Sequence, residues 1–225
     1  MDRIGDAFVW PFRDPGWVNK IVIMALIQLI PIVGGIAGLG WMLAALDKLR
    51  AGEERLPPAN FDNLGRGFRL FVVLFVYYGM LIAIAAAIYL PAVAILIQQG
   101  QDESSSSPFV VSLGVALSLL AFSFATLGSL VLTFLFPAIV LAVDRGGIGA
   151  GLRLFGVLKN VRASLTNTLI AGLMLIAAGL IAQIGSVACV IGVVFTAAYA
   201  FAMQAWIIRS YELGATAPGP PAVTR

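Results

Sequence analysis

An all-α integral membrane bundle is the fold class this sequence predicts, on three observations: its apolar content, the length of its uncharged runs, and the placing of its basic residues. Of 225 residues, 60% are hydrophobic and 11% are charged, and the mean hydropathy is +0.99. A soluble domain carries roughly 25% charged residues. The apolar runs exceed the roughly 18 residues at which a chain begins to match a hydrocarbon core about 30 Å thick. Lysine and arginine cluster between the runs, as they do in loops on the cytoplasmic side of a membrane.

The first apolar block, 18–46, holds Ile30-Pro31-Ile32-Val33-Gly34-Gly35. Proline followed by paired glycine favours a break at Pro31, Gly34 and Gly35. The block is then either one tilted span of about 43 Å or a short hairpin with legs of about 20 Å. The blocks at 68–97 and 109–143 run to about 45 and 53 Å, one helix each, with kinked extensions at Pro91 and Pro137. The last block, 165–208, would measure about 66 Å as one helix, twice a bilayer, so two helices at 165–184 and 187–209 are expected around a turn near Gln183 to Ser186. Together these form four spanning helices plus an N-terminal re-entrant or short helical hairpin, in one domain over 1–212. The Pro- and Gly-rich residues 213–225 read as a disordered tail.

Charge sets the orientation. Lys48, Arg50, Arg55, Arg66 and Arg69 flank the first connection, and Arg145, Arg153, Lys159 and Arg162 occupy the third. The second connection, QQGQDESSSSP, has no basic residue and lies outside by the same rule. A single first span would leave Arg3, Arg13 and Lys20 outside, whereas a hairpin puts all fourteen basic residues in the cytoplasm. The hairpin is therefore the preferred reading, with both termini cytoplasmic and the polar turn buried against protein or lining water.

Interfacial helices are expected beside the spans. Over 147–163, Ile148, Leu152, Phe155, Leu158 and Val161 fall at helical spacing with Arg153, Lys159 and Arg162 mostly off that line, the pattern of a helix lying in the headgroup region. Ile4, Phe8 and Phe12, with Trp10, Arg13 and Trp17, repeat it at the N-terminus. Arg153, Lys159, Arg162, Arg13, Trp10 and Trp17 are thus the candidates for contact with membrane lipids, anionic lipids included. The first seventeen residues lack a signal-peptide pattern, so the chain is expected to begin at Met1.

Catalytic chemistry finds little purchase. The chain has no histidine and one cysteine, Cys189, in an apolar stretch, which removes the commonest general base and metal ligand and any intrachain disulfide. Asp47 beside Lys48 and Asp144 beside Arg145 read as ion-paired helix ends. No catalytic, metal or cofactor constellation remains, and basic residues spread over several loops do not make a nucleic-acid patch. Gln28, Gln183 and Gln204 are the polar intramembrane candidates, and such groups more often bond a neighbouring helix than line a pore. Small residues one turn apart, Gly34 and Gly38, Gly114 and Ser118, Ala125 and Ser129, Gly192 and Thr196, let helices approach closely. Gly146-Gly147-Ile148-Gly149 lacks the Lys-Ser or Lys-Thr of a phosphate loop and reads as a hinge.

Several stretches carry a resemblance: Gly5-Asp6-Ala7-Phe8, Phe12-Arg13-Asp14-Pro15 with Trp17 and Lys20, Leu29-Ile30-Pro31-Ile32-Val33-Gly34, Gly40, Leu56-Pro57 ahead of Phe61-Asp62, and Phe134-Leu135-Phe136-Pro137-Ala138. The chain resembles the prokaryotic membrane family catalogued as domain of unknown function 4013. The resemblance implies a bacterial or archaeal protein of the cytoplasmic (inner) membrane and carries no activity. The expectation is a non-enzymatic scaffold, accessory subunit or lipid-interacting protein, with a homo-oligomer or a membrane-complex partner in view. The alternative is a transporter or channel for a neutral or apolar solute, built on the broken segment at Pro31, Gly34 and Gly35.

Overall fold

The structure, a computed structural model of the chain, describes residues 4–101, 107–185 and 189–216. All regular elements among the described residues are helical. Two short 3-10 helices, Ile4–Phe8 and Trp10–Arg13, precede α1 (Trp17–Gln28), α2 (Val33–Arg50), α3 (Leu64–Gln101), α4 (Pro108–Gly151), α5 (Leu154–Ala163), α6 (Leu165–Ile184) and α7 (Cys189–Thr216). Among the described residues, Leu64–Gly100, Pro108–Gly151, Leu165–Gln183 and Gly192–Ala215 are long and apolar enough to cross a membrane. The chain is an all-helical membrane protein. It divides into two compact units, Met1–Val73 with Phe134–Arg225, and Leu74–Thr133. Hydropathy does not mark this division, because both units are built from the same apolar helices.

In the first unit α7 is the centre, packed by α1, α2, α6 and both 3-10 helices. Lipid tails are as apolar as leucine, so helices associate there through close packing and hydrogen bonds rather than by escape from water. The sequence of α7 suits this: Ala198, Ala200, Ala202 and Ala205 are buried small residues, and Met203, Ile207 and Ile208 fill the space between. The N-terminal segment locks onto the same helix. Trp10 Nε1 donates to the Ala202 carbonyl at 3.1 Å, its ring stacks on Trp206 at 5.8 Å, and the Tyr199 hydroxyl donates to the Phe8 carbonyl. Trp10, expected at the lipid interface, is instead wholly buried. Its indole N–H is satisfied by protein, so it has no need of the headgroup region.

The block at 18–46 is a helical hairpin rather than one helix. Lys20, near the start of α1, donates to the Leu56 carbonyl at 2.6 Å, six residues past the end of α2, so the chain enters and leaves the hairpin at one end. The break belongs to Pro31 and Ile32. Ile32 has φ 65° and ψ −58°, and Val33 N donates to the Pro31 carbonyl at 2.7 Å. This is a γ-turn of the uncommon positive-φ form, strained for a β-branched residue. Gly34 and Gly35, expected in the break, lie in the first turn of α2 instead. Gly34 is there for packing: a Cβ on it would stand 2.5 Å from the Ile27 carbonyl oxygen and 2.6 Å from Gln28 Cα.

The interfacial helix expected over 147–163 is interrupted. Gly147 takes φ 70° and ψ −166°, a conformation that costs glycine nothing, and Leu152-Arg153 then separates α4 from α5. At the α6–α7 connection, Thr196 Oγ1 lies 2.8 Å from the Ala182 carbonyl oxygen. The turn expected near Gln183 to Ser186 falls partly outside the described residues, as does most of the tail at 213–225, of which α7 takes residues through Thr216.

In the second unit, a Cβ on Gly114 would stand 2.8 Å from the Leu96 side chain, and one on Gly128 would stand 2.3 Å from Leu81. Small residues on α4 thus admit large ones from α3. The outward surface is apolar, with Ile82, Leu90, Phe109 and Phe122 each more than 60% exposed. Contiguous apolar exposure of this kind suits contact with lipid.

Candidate functional site

Charge gathers where α2 ends, α3 begins, and α4 and α7 finish. Arg50 is at its centre. Its Nε and Nη2 form a fork on the two Glu212 oxygens at 3.0 and 3.1 Å, and its Nη1 reaches Asp144 at 2.6 Å and Asp47 at 3.1 Å. Arg66 bridges Asp47 and, at 2.8 Å, Asp144. Glu212 also accepts from Arg145 at 2.7 Å and Arg209 at 3.0 Å. Four guanidinium groups thus meet three carboxylates, leaving one formal positive charge (4 − 3 = +1). The forked geometry adds orientational specificity, and a second charge-assisted hydrogen bond, to what a point charge would give. Burial opposes the charge on Arg50, but Glu212 and Asp144 outweigh it and raise its pKa.

The pairings differ from those that adjacency suggests. Asp144 pairs with Arg50 and Arg66 rather than with Arg145, and Asp47 with the same two rather than with Lys48, which takes Glu53 at 2.6 Å. Neighbours in sequence point about 100° apart around a helix and do not face one another. Sequence reasoning also passed over Glu212, which lies beyond the last apolar run. One signal could have found the set: each of its members sits at an end of an apolar block on the side the basic residues share.

A second latch ties the N-terminal segment to the 50s loop. Asp14, 3% exposed, accepts from Lys20 Nζ at 2.7 Å, the Gly16 N–H at 2.9 Å and the Leu56 N–H at 2.9 Å. Burial opposes its ionisation, yet these donors together outweigh burial and hold the carboxyl below the usual carboxylate range. Trp41 Nε1 donates to the Pro57 carbonyl at 3.1 Å. The Asp14, Lys20 and Leu56-Pro57 stretches that carried the family resemblance therefore meet in space.

The lipid-interface candidates separate into two groups. Arg13 is held by Asp6 and Glu54, and Trp17 meets Phe12 edge-on at 4.8 Å. Arg153, Lys159 and Arg162 are exposed, and none of the described residues forms an ion pair with them. On α5, Val157 and Val161 are buried while Phe155 is 91% exposed. Lys159 lies one turn from Phe155, and Arg162 one turn from the exposed Leu158.

Neither of two cavities among the described residues is lined by Gln28, Gln183 or Gln204. A cavity of about 560 Å³ between α3 and α4 in the second unit is lined by Tyr78, Tyr89, Phe122, Ser129 and alanines. One of about 220 Å³ in the first unit is lined by Arg145, Asn160, Ser164, Tyr211 and Glu212 among others. The amide nitrogen of Gln28 is buried with no hydrogen-bond partner among the described residues. Among the described residues no three of His, Cys, Asp and Glu come together as a metal would need.

The family model described as Protein of unknown function (DUF4013) matches residues 23–209. No curated protein and no solved structure matches the chain.

Proposed function

Starting from the chain's membership of that family of proteins of unknown function, DUF4013, we propose that it is a non-enzymatic membrane scaffold whose paired charges fix its helix ends and whose α5 engages anionic lipid. The observation that carries this reading is the division of the basic residues. Arg50, Arg66, Arg145 and Arg209 are spent on carboxylates, whereas Arg153, Lys159 and Arg162 stand exposed beside Phe155. Lysine or arginine near an anionic membrane surface contributes about 1 kcal/mol each, and an exposed aromatic beside them suits the headgroup boundary. The carboxylates support the same reading. Asp47, Asp144 and Glu212 are each held by two or more guanidiniums, so they act as structural counterions rather than as proton carriers.

Placement in the membrane follows from the same charges. The basic connections lie in the cytoplasm, with both termini, and the membrane is the cytoplasmic one of a prokaryote. At about 18 Å, α1 is too short to cross about 30 Å of hydrocarbon, so the α1–α2 hairpin enters and returns.

The test uses the whole protein reconstituted in vesicles of phosphatidylcholine with trace spin-labelled phosphatidylglycerol. Electron spin resonance is expected to show a preference of the protein's boundary for the anionic label. Replacing Arg153, Lys159 and Arg162 together by Gln is expected to cut that preference at least fivefold, and 1 M salt to weaken it. An unchanged preference in the triple variant contradicts the lipid part of the proposal.

A further inference from the structure

Close contact and open space alternate between α3 and α4 in the second unit. Leu81 lies against Gly128 and Leu96 against Gly114. Between these two contacts both helices present alanine, Ala85 and Ala86 from α3 and Ala121 and Ala125 from α4, and these line a cavity of about 560 Å³. Helices pack as densely as organic crystals, so a space of this size has an occupant. Its wall is almost wholly carbon. The Ser129 hydroxyl is already spent on the Thr126 carbonyl at 2.8 Å. On α3 the lining begins nine residues past Arg69, and on α4 it ends fifteen residues before Asp144, with no charged residue between in either case. The occupant is therefore an apolar group met in hydrocarbon, away from the headgroups.

Size decides which apolar group fits. The lining runs from Tyr78 to Tyr89 along α3, about 17 Å at 1.5 Å per residue. A helix about 10 Å across would need roughly twice the volume over that length, so a helix of a second copy does not seat there. A methylene group takes about the same 30 Å³ as a water, so the space holds one hydrocarbon chain of roughly eighteen carbons. Ile82 and Phe122 on the rim are 64% and 73% exposed. They make the cavity continuous with the outward apolar surface, and a chain can enter from the side. We propose that this cavity holds one acyl chain of a membrane phospholipid, gripped along its length with the headgroup left free. The inference rests on α3 and α4 lying in a bilayer and not on the reading of α5, since Arg153, Lys159 and Arg162 do not line the cavity.

Native mass spectrometry of the whole protein, delipidated in mild detergent and titrated with dioleoyl phosphatidylcholine, tests it. One lipid per chain is expected to be retained. Dioctanoyl phosphatidylcholine, whose chains fill less than half the space, is expected to be held at least fivefold more weakly. Ala125→Phe puts a ring into the cavity and is expected to abolish the preference for oleoyl chains while leaving the thermal unfolding midpoint unchanged or raised. The Gln triple variant of α5 is expected to keep the preference within twofold; its loss there would overturn the site. Equal retention of the two chain lengths by the wild type overturns it as well, as does an oleoyl preference of equal size in the wild type and in Ala125→Phe. Release of the wild type as a dimer, which Ala125→Phe turns into a lipid-free monomer, would assign the cavity to a second copy and overturn the lipid. Should Ala125→Phe fail to fold, Ala85→Leu adds a smaller group and is expected to reduce the preference at least twofold; an unchanged preference in that variant overturns the site too. Failure of this site leaves the α5 reading standing if the Gln triple variant has lost its boundary preference for anionic lipid.

Discussion

Gly34 and Gly35 stand side by side in the sequence and do different things. A methyl group on Gly34 would strike the backbone of α1, whereas nothing lies within 4 Å of one on Gly35. Overpacking against backbone costs about 1–3 kcal/mol, so Gly34→Ala is expected to lower stability by about 3 kcal/mol in SDS-induced unfolding from mixed micelles. Gly35→Ala is expected to be neutral or to stabilise by about 0.5 kcal/mol, because alanine suits a helix better than glycine. Equal losses in the two variants contradict the packing role of Gly34. The proline and both glycines were legible in the sequence as a break, but the division of labour was not, because it depends on where the backbone of α1 passes. Asp14 is a second test at this scale. Its folded-state pKa lies below the ordinary value near 4, so its ionised form stabilises the fold above about pH 4 and that stabilisation is lost as pH falls through the folded value. Asp14→Asn is therefore expected to melt well below the wild type at pH 6, with a gap that narrows as pH falls below about 4. A gap that stays constant across that range contradicts the latch.

At the scale of elements, one cluster ties α2, α3, α4 and α7 together within the first unit. Removing one partner from a buried ion pair costs about 3–5 kcal/mol, because the other charge is left uncompensated. A quarter of the Arg50 side chain is exposed, so solvent screening reduces this and Arg50→Gln is expected to cost about 2 kcal/mol. A double-mutant cycle with Glu212→Gln, read by thermal unfolding in detergent, is expected to give a coupling of about 1–2 kcal/mol. Additivity within about 0.3 kcal/mol would mean that the fork contributes nothing. The helices themselves were legible, since an apolar run of given length has few options in hydrocarbon. The partners were not, because Arg50 and Glu212 are 162 residues apart and only the folded helices bring them together. The same reason hid the role of α7 as the packing centre: its buried alanines look in sequence like those of any span. Trp10 shows the converse error, a residue whose type suggests the headgroup region but whose N–H finds a protein carbonyl.

For the whole molecule, composition decided the solvent and charge placement suggested the sidedness. Four helical stretches long and apolar enough to span agree with the first of these, and the residues that carried the family resemblance fall within a fold of that kind. The division into two units had no signal in hydropathy, which reports how apolar a helix is and not what it touches. On the proposed topology the charge-bearing helix ends share one side of the membrane and Ser107, just ahead of α4, lies on the other. Single cysteines placed by Arg153→Cys or Ser107→Cys, in a chain carrying Cys189→Ala, can be labelled with a membrane-impermeant maleimide in intact cells and in inverted membrane vesicles. Position 107 is expected to react in cells and position 153 only in inverted vesicles; reaction of both positions from the same side, or of position 153 in intact cells, rules that topology out.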